Sequence, residues 1–314
     1  CVPEALKARL RVQLEMAYEI PRAYPYTQAQ MLDILQKNVS GFAEEELETL
    51  RDDGTLDWRY VNGEVRFKNN ALSALLKTRK EYAMRATDPA VMSGAKASAE
   101  QLNAMIAKMK ANGGVRARFE LHEELTVRSD RLTEGEMLRI HLPMPIVGAQ
   151  VKRAELLSAS HPVAFLAPED EPQRTIYFEL PYEPGMTVSA EIAYEIDAPY
   201  AQPHAREVYA EQPVFDTEEL PPHVVFTPYL RALAKEIVGN ETNALLKARK
   251  IYDFITTQTV YRFMPPYLTV PNIPEYFLSG LRGDCGVQAI TFVTLCRLCG
   301  VPAQWQSGLY TKPN

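Results

Sequence analysis

The sequence has few cysteines, no excess of basic residues and no long apolar run. Four cysteines among 314 residues are too few for the disulfide frameworks that hold small secreted domains together. The formal net charge of −6 and the pI of about 5.6 argue against wholesale binding to nucleic acids or anionic membranes, which favour basic surfaces. No apolar run approaches the ~18 residues of a transmembrane helix, so we predict neither a membrane-spanning segment nor a nucleic-acid partner.

Residue patterns that bind metals or cofactors are also scarce. The nearest is the pair Cys296 and Cys299 inside one apolar helical segment, whereas structural zinc usually takes four ligands. We therefore predict no metal site and no cofactor, and we place both cysteines in the core, because cysteine is among the most buried residue types. The composition, 46% hydrophobic and 24% charged, is that of a globular protein with room for two or three domains.

Residues 1–112 are predicted to be mostly helical, with one β-hairpin near 57–68. Apolar residues recur at helical spacing, and an Asn-Gly pair between alternating apolar residues is a strong signal for a two-residue turn. Further helices are expected over 70–85 and 98–110. Helices followed by a hairpin can form a winged-helix DNA-binding module, but acidic residues precede the hairpin and disfavour a phosphate backbone. We expect a scaffold or docking role for this region.

Residues 113–200 are predicted to form an antiparallel β-sandwich. Apolar and charged side chains alternate along several short segments, which is typical of strands with one buried face. Turn-forming Pro, Gly and Asp residues separate these segments. A proline-rich linker is expected over 201–227, followed by a mixed helix-and-strand domain over 228–314. The predicted fold class is therefore α+β with several domains.

Within that last domain, the periodicity predicts helices over 229–238 and 244–257. Short strands are expected over 260–263 and 303–310. Between these strands, Gly283-Asp284-Cys285-Gly286 opens a long apolar helix that stops at Gly300.

The start of this helix is the place where the sequence indicates chemistry. Asp is a preferred N-cap, and Gly commonly follows the last helical residue. Cys285 is thus expected in the first turn, where the helix dipole and free N–H groups favour an anion. Cysteines at helix N-termini often act as thiolate nucleophiles. The neighbouring Asp284 carboxylate opposes this, so a cationic partner is also required. Packing alone is the other interpretation of Cys285.

The segments ALLKARKIYDFITTQTVYRF (244–263) and RGDCGVQAITFVTLCRLCGVPAQWQSGLY (282–310) resemble the bacterial transglutaminase-like superfamily, which shares the papain-like catalytic plan. The resemblance covers residues 228–314, and the preceding β region looks like the sandwich that often comes before this core. It implies that Cys285 is the nucleophile. A histidine and an aspartate, each on a strand packed against the cysteine helix, would then accept the thiol proton and orient the imidazole ring.

The implied activity is attack by the thiolate on an amide carbonyl of a peptide or protein substrate, through a thioester. Hydrolysis is expected in preference to crosslinking. Backbone N–H groups at the helix start could supply part of an oxyanion hole, and the side-chain candidates for the same support are Tyr261, Tyr267 and Gln288.

The sequence departs from the family pattern in one respect. All five histidines precede Cys285, and no aspartate follows Asp284. Either the chain stops before its catalytic histidine and aspartate, which we favour, or the core is degenerate. In the second case the protein is a non-catalytic binding or assembly protein. An upstream partner such as His223 is disfavoured, because its Pro-Pro-His setting is typical of a linker.

Residue Cys1, rather than Met, begins the sequence. A trimmed chain and a mature lipoprotein both fit this start. We expect a soluble protein whose compartment is left open between cytoplasmic and extracytoplasmic, and the sequence sets no oligomeric state.

Overall fold

The computed structural model describes residues 2–128, 131–306 and 308. They form two compact units, which we describe separately. The first comprises the residues up to Ser98 together with 204–305, and the second is built from residues 99–203. The first unit therefore joins two segments that are far apart in the sequence. No helix among the described residues is long and apolar enough to cross a membrane. The domain bounds expected from the sequence stay predictions.

Short helices and one antiparallel sheet make up the N-terminal part of the first unit. The helices are α1 (Glu4–Ala23), α2 (Gln28–Asn38), α3 (Glu44–Asp52), α4 (Ala71–Thr78) and α5 (Lys80–Ala83). The sheet has the order β1-β3-β2, from β1 (Tyr26–Thr27), β2 (Trp58–Val61) and β3 (Glu64–Phe67). Helices and sheet enclose an apolar core that includes Met31, Leu35, Leu50 and Phe67.

The hairpin predicted in this region is confirmed as β2 and β3. Asn62 and Gly63 connect the two strands with positive φ angles of 52° and 83°. Two consecutive positive φ angles are the geometry of the type I′ turn, which Asn-Gly favours because its twist matches that of the strands.

The prediction of a single helix over 70–85 was wrong. Helices α4 and α5 separate at Arg79, whose backbone is extended at φ −121° and ψ 96°. The Arg79 guanidinium donates to the carboxylates of Asp53 and Glu81 and to the hydroxyl of Thr55. These long-range bonds accompany a break that helical periodicity did not reveal. Helix α6 (Ala90–Asn112) follows and is longer than the predicted helix over 98–110.

The second unit contains two antiparallel sheets. Their strands are β4 (Gly114–Thr126), β5 (Met137–Pro143), β6 (Val151–Ala159), β7 (Phe165–Leu166), β8 (Thr175–Pro181) and β9 (Thr187–Pro199). The sheet orders are β4-β9-β6 and β5-β8-β7. Alternate residues point inward, and one apolar core takes side chains from both sheets, among them Ile140, Phe178 and Ile192. The mixed α and β composition is therefore confirmed, whereas a β-sandwich stays a prediction.

The C-terminal part of the first unit holds the predicted helix at Cys285. Its elements are α7 (Pro228–Val238), α8 (Ala244–Gln258), β10 (Val260–Tyr261), α9 (Ile273–Gly280), β11 (Arg282–Gly283) and α10 (Cys285–Leu298). Strands β10 and β11 pair in parallel. An apolar core lies among the helices and includes Leu230, Ile251, Phe277 and Leu295.

Polar side chains set where these helices begin. Thr227, Asn243 and Asp284 accept hydrogen bonds from backbone N–H groups in the first turns of α7, α8 and α10, respectively. Such caps satisfy donors that have no partner within the helix. The predicted helices in this region are thereby confirmed.

The structure confirms part of one of the two strands predicted around α10. The strand expected over 260–263 is shorter, because β10 ends at Tyr261. Of the strand predicted over 303–310, residues 303–306 and 308 are not in a strand. The other residues of that prediction lie outside the described part of the chain.

Candidate active site

Cys285 is the first residue of α10 and is exposed to solvent. The preceding residue, Asp284, has an extended backbone and acts as the N-cap, with its Oδ1 accepting from the backbone N–H of Val287 at 3.1 Å. The helix then runs into the apolar core. This arrangement places a thiol at the positive end of a helix dipole. The rest of the helix is fixed by packing in the apolar core.

The Asp284 carboxylate is occupied by hydrogen bonds on both oxygens. Besides the cap, Oδ1 accepts from the Tyr267 hydroxyl at 2.5 Å, and Oδ2 accepts from the backbone N–H of Met264 at 3.4 Å. These bonds tie the loop after β10 to the start of α10. Asp284 therefore positions both the helix and the loop.

Tyr267 lies directly beside the nucleophile position. Burial, followed by the hydrogen bond and negative charge of Asp284, raises the pKa of Tyr267 far above its ordinary value, and a thiolate at Cys285 adds to this effect. Although the residue as a whole is 39% exposed, its hydroxyl group packs against Gly286. A side chain on Gly286 would collide with that hydroxyl. Tyr267 thus stays protonated, with its proton directed to Asp284.

Tyr261 approaches the site from β10. It pairs with Gly283 in the parallel ladder, two residues before Cys285. The Lys77 ammonium donates to the Tyr261 hydroxyl at 3.2 Å and lies 4.6 Å from the centre of its ring. A cation over an aromatic ring is attracted to its face, so Lys77 and Tyr261 hold each other in place.

Gln288 lies one helical turn after Cys285 and is half-buried. Its side-chain amide donates to the Gly283 carbonyl over a long 3.4 Å. The backbone N–H groups of Cys285 and Gly286 have no hydrogen-bond partner among the described residues. Helix starts leave such donors free for an anion.

The N-terminal segment supplies side chains to this region that sequence reasoning did not find. Asp57 accepts from Arg262 at 2.6 Å and from the Tyr24 hydroxyl at 2.7 Å. The side chain of Asp57 is only 10% exposed in this ion pair. Because its partner lies 205 residues away in the sequence, no local pattern could have indicated the pair.

Two further contacts bind the same segments together. Arg59 donates to the Thr269 hydroxyl at 3.3 Å, and Arg282 donates to the Asp53 carbonyl. Thr269 belongs to the loop that carries Tyr267, and Arg282 belongs to the strand that leads to Cys285. The N-terminal segment therefore contacts both the loop that carries Tyr267 and the strand that leads to Asp284.

Lys68, directly after β3, is a further cation of this region. The residue is 8% exposed, and no hydrogen bond or ion pair reaches its ammonium group from the residues that the structure describes. Burial lowers the pKa of Lys68, while the nearby carboxylates of Asp57 and Asp284 raise it to a smaller extent.

No hydrogen bond joins a histidine to Cys285 within the described residues. His122, His141 and His161 belong to the second unit. His204 is exposed, and His223 is half-buried with an Nδ1 atom that has no partner. Burial lowers the pKa of His223. The described part of the chain also holds no cluster of three or more His, Cys, Asp or Glu side chains that could bind a metal ion.

The other two described cysteines lie at the far end of α10. Cys296 is 1% exposed and belongs to the apolar core, and Cys299 is partly buried against that core. The predicted core placement is confirmed for Cys296, whereas Cys299 lies at the edge of the core. Burial raises the pKa of Cys296 to about 12 and also raises the pKa of Cys299.

Comparison with known proteins gives one sequence match and one structural likeness. Residues 231–314 match the model of the transglutaminase-like superfamily. A solved structure from Cytophaga hutchinsonii, of a protein provisionally described as a cysteine protease, is similar with a TM-score of 0.42 and 16% identity, over 60% of this chain and 67% of that chain. No curated protein matches the sequence significantly.

Proposed function

We propose that this chain, whose residues 231–314 belong to the transglutaminase-like superfamily, provides the nucleophile of a cysteine enzyme that acts on peptide or amide bonds. The Cys285 thiolate attacks the carbonyl carbon, and a C–S bond forms as the carbonyl oxygen takes up negative charge. The C–N bond then breaks, and the amine leaves with a proton. Water attacks the resulting thioester and releases the carboxylic acid, so the net reaction is hydrolysis.

The observation that carries this proposal is the position of Cys285. Its thiol is exposed at the first residue of a capped helix, whereas the other two described thiols of the same helix region are buried or partly buried. A structural cysteine would be expected in the core. An exposed thiol at a helix N-terminus is instead in a setting that favours a reactive thiolate.

The free N–H groups of Cys285 and Gly286 are the proposed oxyanion donors. A carbonyl oxygen that becomes negative near the helix start would accept from them, and the helix dipole would stabilise the charge. Tyr267 is a positioning residue in this scheme, because its proton is directed to Asp284. Tyr261 and Gln288 line the same region and remain proposed support residues.

The general base is assigned through the family resemblance. In that pattern a histidine after the nucleophile accepts the thiol proton and later returns it to the leaving amine. The sequence that is translated after Asn314 is therefore the first observation to make. A histidine on an alternating strand, followed by an aspartate, supports the enzyme.

The direct test follows acyl transfer in the protein together with any sequence translated after Asn314. Dimethylcasein serves as acyl donor, with water or cadaverine as acceptor. We expect release of ammonia or of new carboxyl groups without cadaverine incorporation, and an acyl adduct mapped to Cys285. C285A should lower the rate at least about a hundredfold, on the scale of losing a catalytic nucleophile. C299A is the matched control and should retain activity.

Equal activity of C285A and the unmodified protein would contradict the proposal. If cadaverine is incorporated, the reaction is transamidation rather than hydrolysis, and Cys285 is still the nucleophile. A protein with no histidine after Cys285 and no adduct would instead be the non-catalytic binding or assembly protein that the sequence leaves as the alternative.

A further inference from the structure

One carboxyl group of the second unit is sealed from solvent without a hydrogen-bond partner. It belongs to Glu123 on β4, where both carboxyl oxygens are inaccessible to solvent and neither has a partner among the described residues. The residue as a whole is only half-buried, so the part of Glu123 that solvent reaches is not the carboxyl group. The ionisable end of this side chain is therefore turned away from water.

The strand register shows what surrounds this carboxyl group. Glu123 pairs with Ala190 of β9, and Val188 and Ile192 lie diagonally across on the same face of the sheet. These three residues of β9 are at most 1% exposed and belong to the apolar core of the unit. On β4 itself, the residues two positions before and after Glu123 are leucines. Glu123 thus occupies a position at which strand alternation places an apolar side chain.

No cation faces Glu123 from the strands of this core, as far as the structure describes them. Every buried residue of β5, β6, β8 and β9 is apolar. The titratable residue that β9 contributes to the core is Tyr194, a neutral phenol whose pKa is raised by burial. The neighbours of Glu123 along the strand, His122 and Glu124, are exposed on the opposite face.

The other ionisable groups near this core have partners of their own or are neutral. Arg174 is buried and donates to the carbonyls of Ala167 and Pro145. His161, which follows β6, forms a hydrogen bond with the Ser160 hydroxyl at 2.8 Å, and Tyr182 is a buried phenol. None of these groups contributes to the pKa shift of Glu123, for which burial is the single cause.

The geometry favours the protonated form of this carboxyl group. A carboxylate in the same place would be a charge without water and without a partner, which is costly. The neutral acid avoids most of that cost. In agreement with this, burial raises the pKa of Glu123 from its ordinary value of 4.5 to about 7. The group therefore changes its charge near neutral pH, where an exposed glutamate is already ionised.

We propose that Glu123 is a proton-dependent switch in the second unit: the protonated carboxyl group packs against the core, and loss of its proton to water loosens β4. The carboxylate that remains is hydrated only when its strand moves. Because β4 is an outer strand of the sheet β4-β9-β6, it separates from the sheet when its pairing with β9 alone is broken. The switch lies in the second unit and does not depend on the proposed role of Cys285.

Proton linkage gives the direction of the effect. Since the pKa of Glu123 is raised in the folded unit, the folded unit keeps this proton at pH values at which the unfolded chain has released it. The contribution of Glu123 to stability is therefore complete below about pH 4.5 and is lost as the pH rises through about 7. Acidic conditions should keep β4 on the core, and alkaline conditions should release it.

The test compares hydrogen exchange at the amides of β4 in the unmodified protein and in E123Q, at the same pH. Glutamine has nearly the shape of protonated glutamic acid but cannot ionise. The exchange rate of the unmodified protein, divided by that of E123Q, should rise at least about tenfold between pH 5 and pH 8, which corresponds to one unit of the pKa shift. A ratio that stays constant overturns the proposal.

E124Q is the matched control, because Glu124 is exposed on the opposite face of the same strand. The corresponding ratio for E124Q should not change with pH, and amides of α10 in the first unit should exchange equally in all three proteins. If E124Q shows the same rise as E123Q, the effect does not come from the buried carboxyl group and the proposal is overturned.

A measurement on the unmodified protein covers the case in which E123Q fails to fold. Infrared spectra distinguish the C=O stretch of a protonated carboxylic acid from the bands of a carboxylate. One protonated carboxyl group should remain at pH 6, where exposed aspartates and glutamates are ionised, and its band should disappear above pH 8. A folded E123Q protein should lack the band. If the unmodified protein shows no such band at pH 6, Glu123 is ionised and the switch does not exist.

Discussion

The two ends of α10 contain the same kind of residue in opposite environments. At its start, Cys285 is exposed and lies between Asp284 and Gly286, both of which contact the Tyr267 hydroxyl. Toward its end, Cys296 lies in an apolar core and Cys299 packs against that core. Both regions belong to one apolar run of sequence. The difference shows that the surroundings of a thiol, rather than its helix, determine whether it is available for chemistry.

The largest expected effect is a difference between the alkylation rates of the three described cysteines. At pH 8 and in the folded protein, Cys285 should react with iodoacetamide at least about a hundredfold faster than Cys296, because burial both blocks the reagent and raises the pKa of Cys296 to about 12. Cys299 should be intermediate in rate. Peptide mapping after timed labelling measures each thiol. In concentrated urea the three rates should converge, and equal rates in the folded state would contradict the contrast between the two ends.

The next effect concerns the C-terminal end of α10. Arg297 is buried and donates to the carbonyls of Ala303 and Glu218 and to the carboxylate of Asp216. R297M removes these donors and should lower the free energy of unfolding by about 2–3 kcal/mol. Urea denaturation measures this loss, while Cys285 should still be labelled at its normal rate.

R249M is the matched control for that prediction. Arg249 is exposed and pairs with Asp253 one helical turn away, so its loss should change stability by less than about 0.5 kcal/mol. If R297M and R249M lower the free energy of unfolding by similar amounts, the hydrogen bonds of Arg297 do not stabilise the end of α10.

The smallest expected effect is at the start of α10. D284A removes the N-cap and the acceptor of the Tyr267 hydroxyl, and should cost about 1–2 kcal/mol of stability. D284N retains an acceptor and should cost less. N243A removes a similar cap from α8 and is the control for stability alone.

Comparison of D284A with N243A distinguishes a general loss of stability from a specific effect of Asp284 on Cys285. Only D284A should alter the labelling rate of Cys285, since Asn243 caps a different helix. If N243A changes that rate as much as D284A does, the bonds of Asp284 do not organise the site.

Sequence patterns that extend over a few residues correctly predicted the elements whose hydrogen bonds join residues close together in the chain or whose side chains alternate. The Asn62-Gly63 turn, the Asp284 cap and the alternating strands of the second unit follow from preferences that act over a few residues. The break at Arg79 could not be foreseen, because its partner Asp53 lies 26 residues away. The Asp57–Arg262 pair was missed for the same reason, because its members lie 205 residues apart.

The sequence by itself determined that a thiol begins a capped helix, that the helix is apolar, and that residues 231–314 match the model of the transglutaminase-like superfamily. Caps, turns and periodicity are short-range, and so they can be recognised without the fold. Only the tertiary structure decided what surrounds Cys285. It brought Tyr24 and Asp57 from the N-terminal segment to Arg262, because a charge that is removed from water is stable only with a partner, and that partner can lie far away in the sequence.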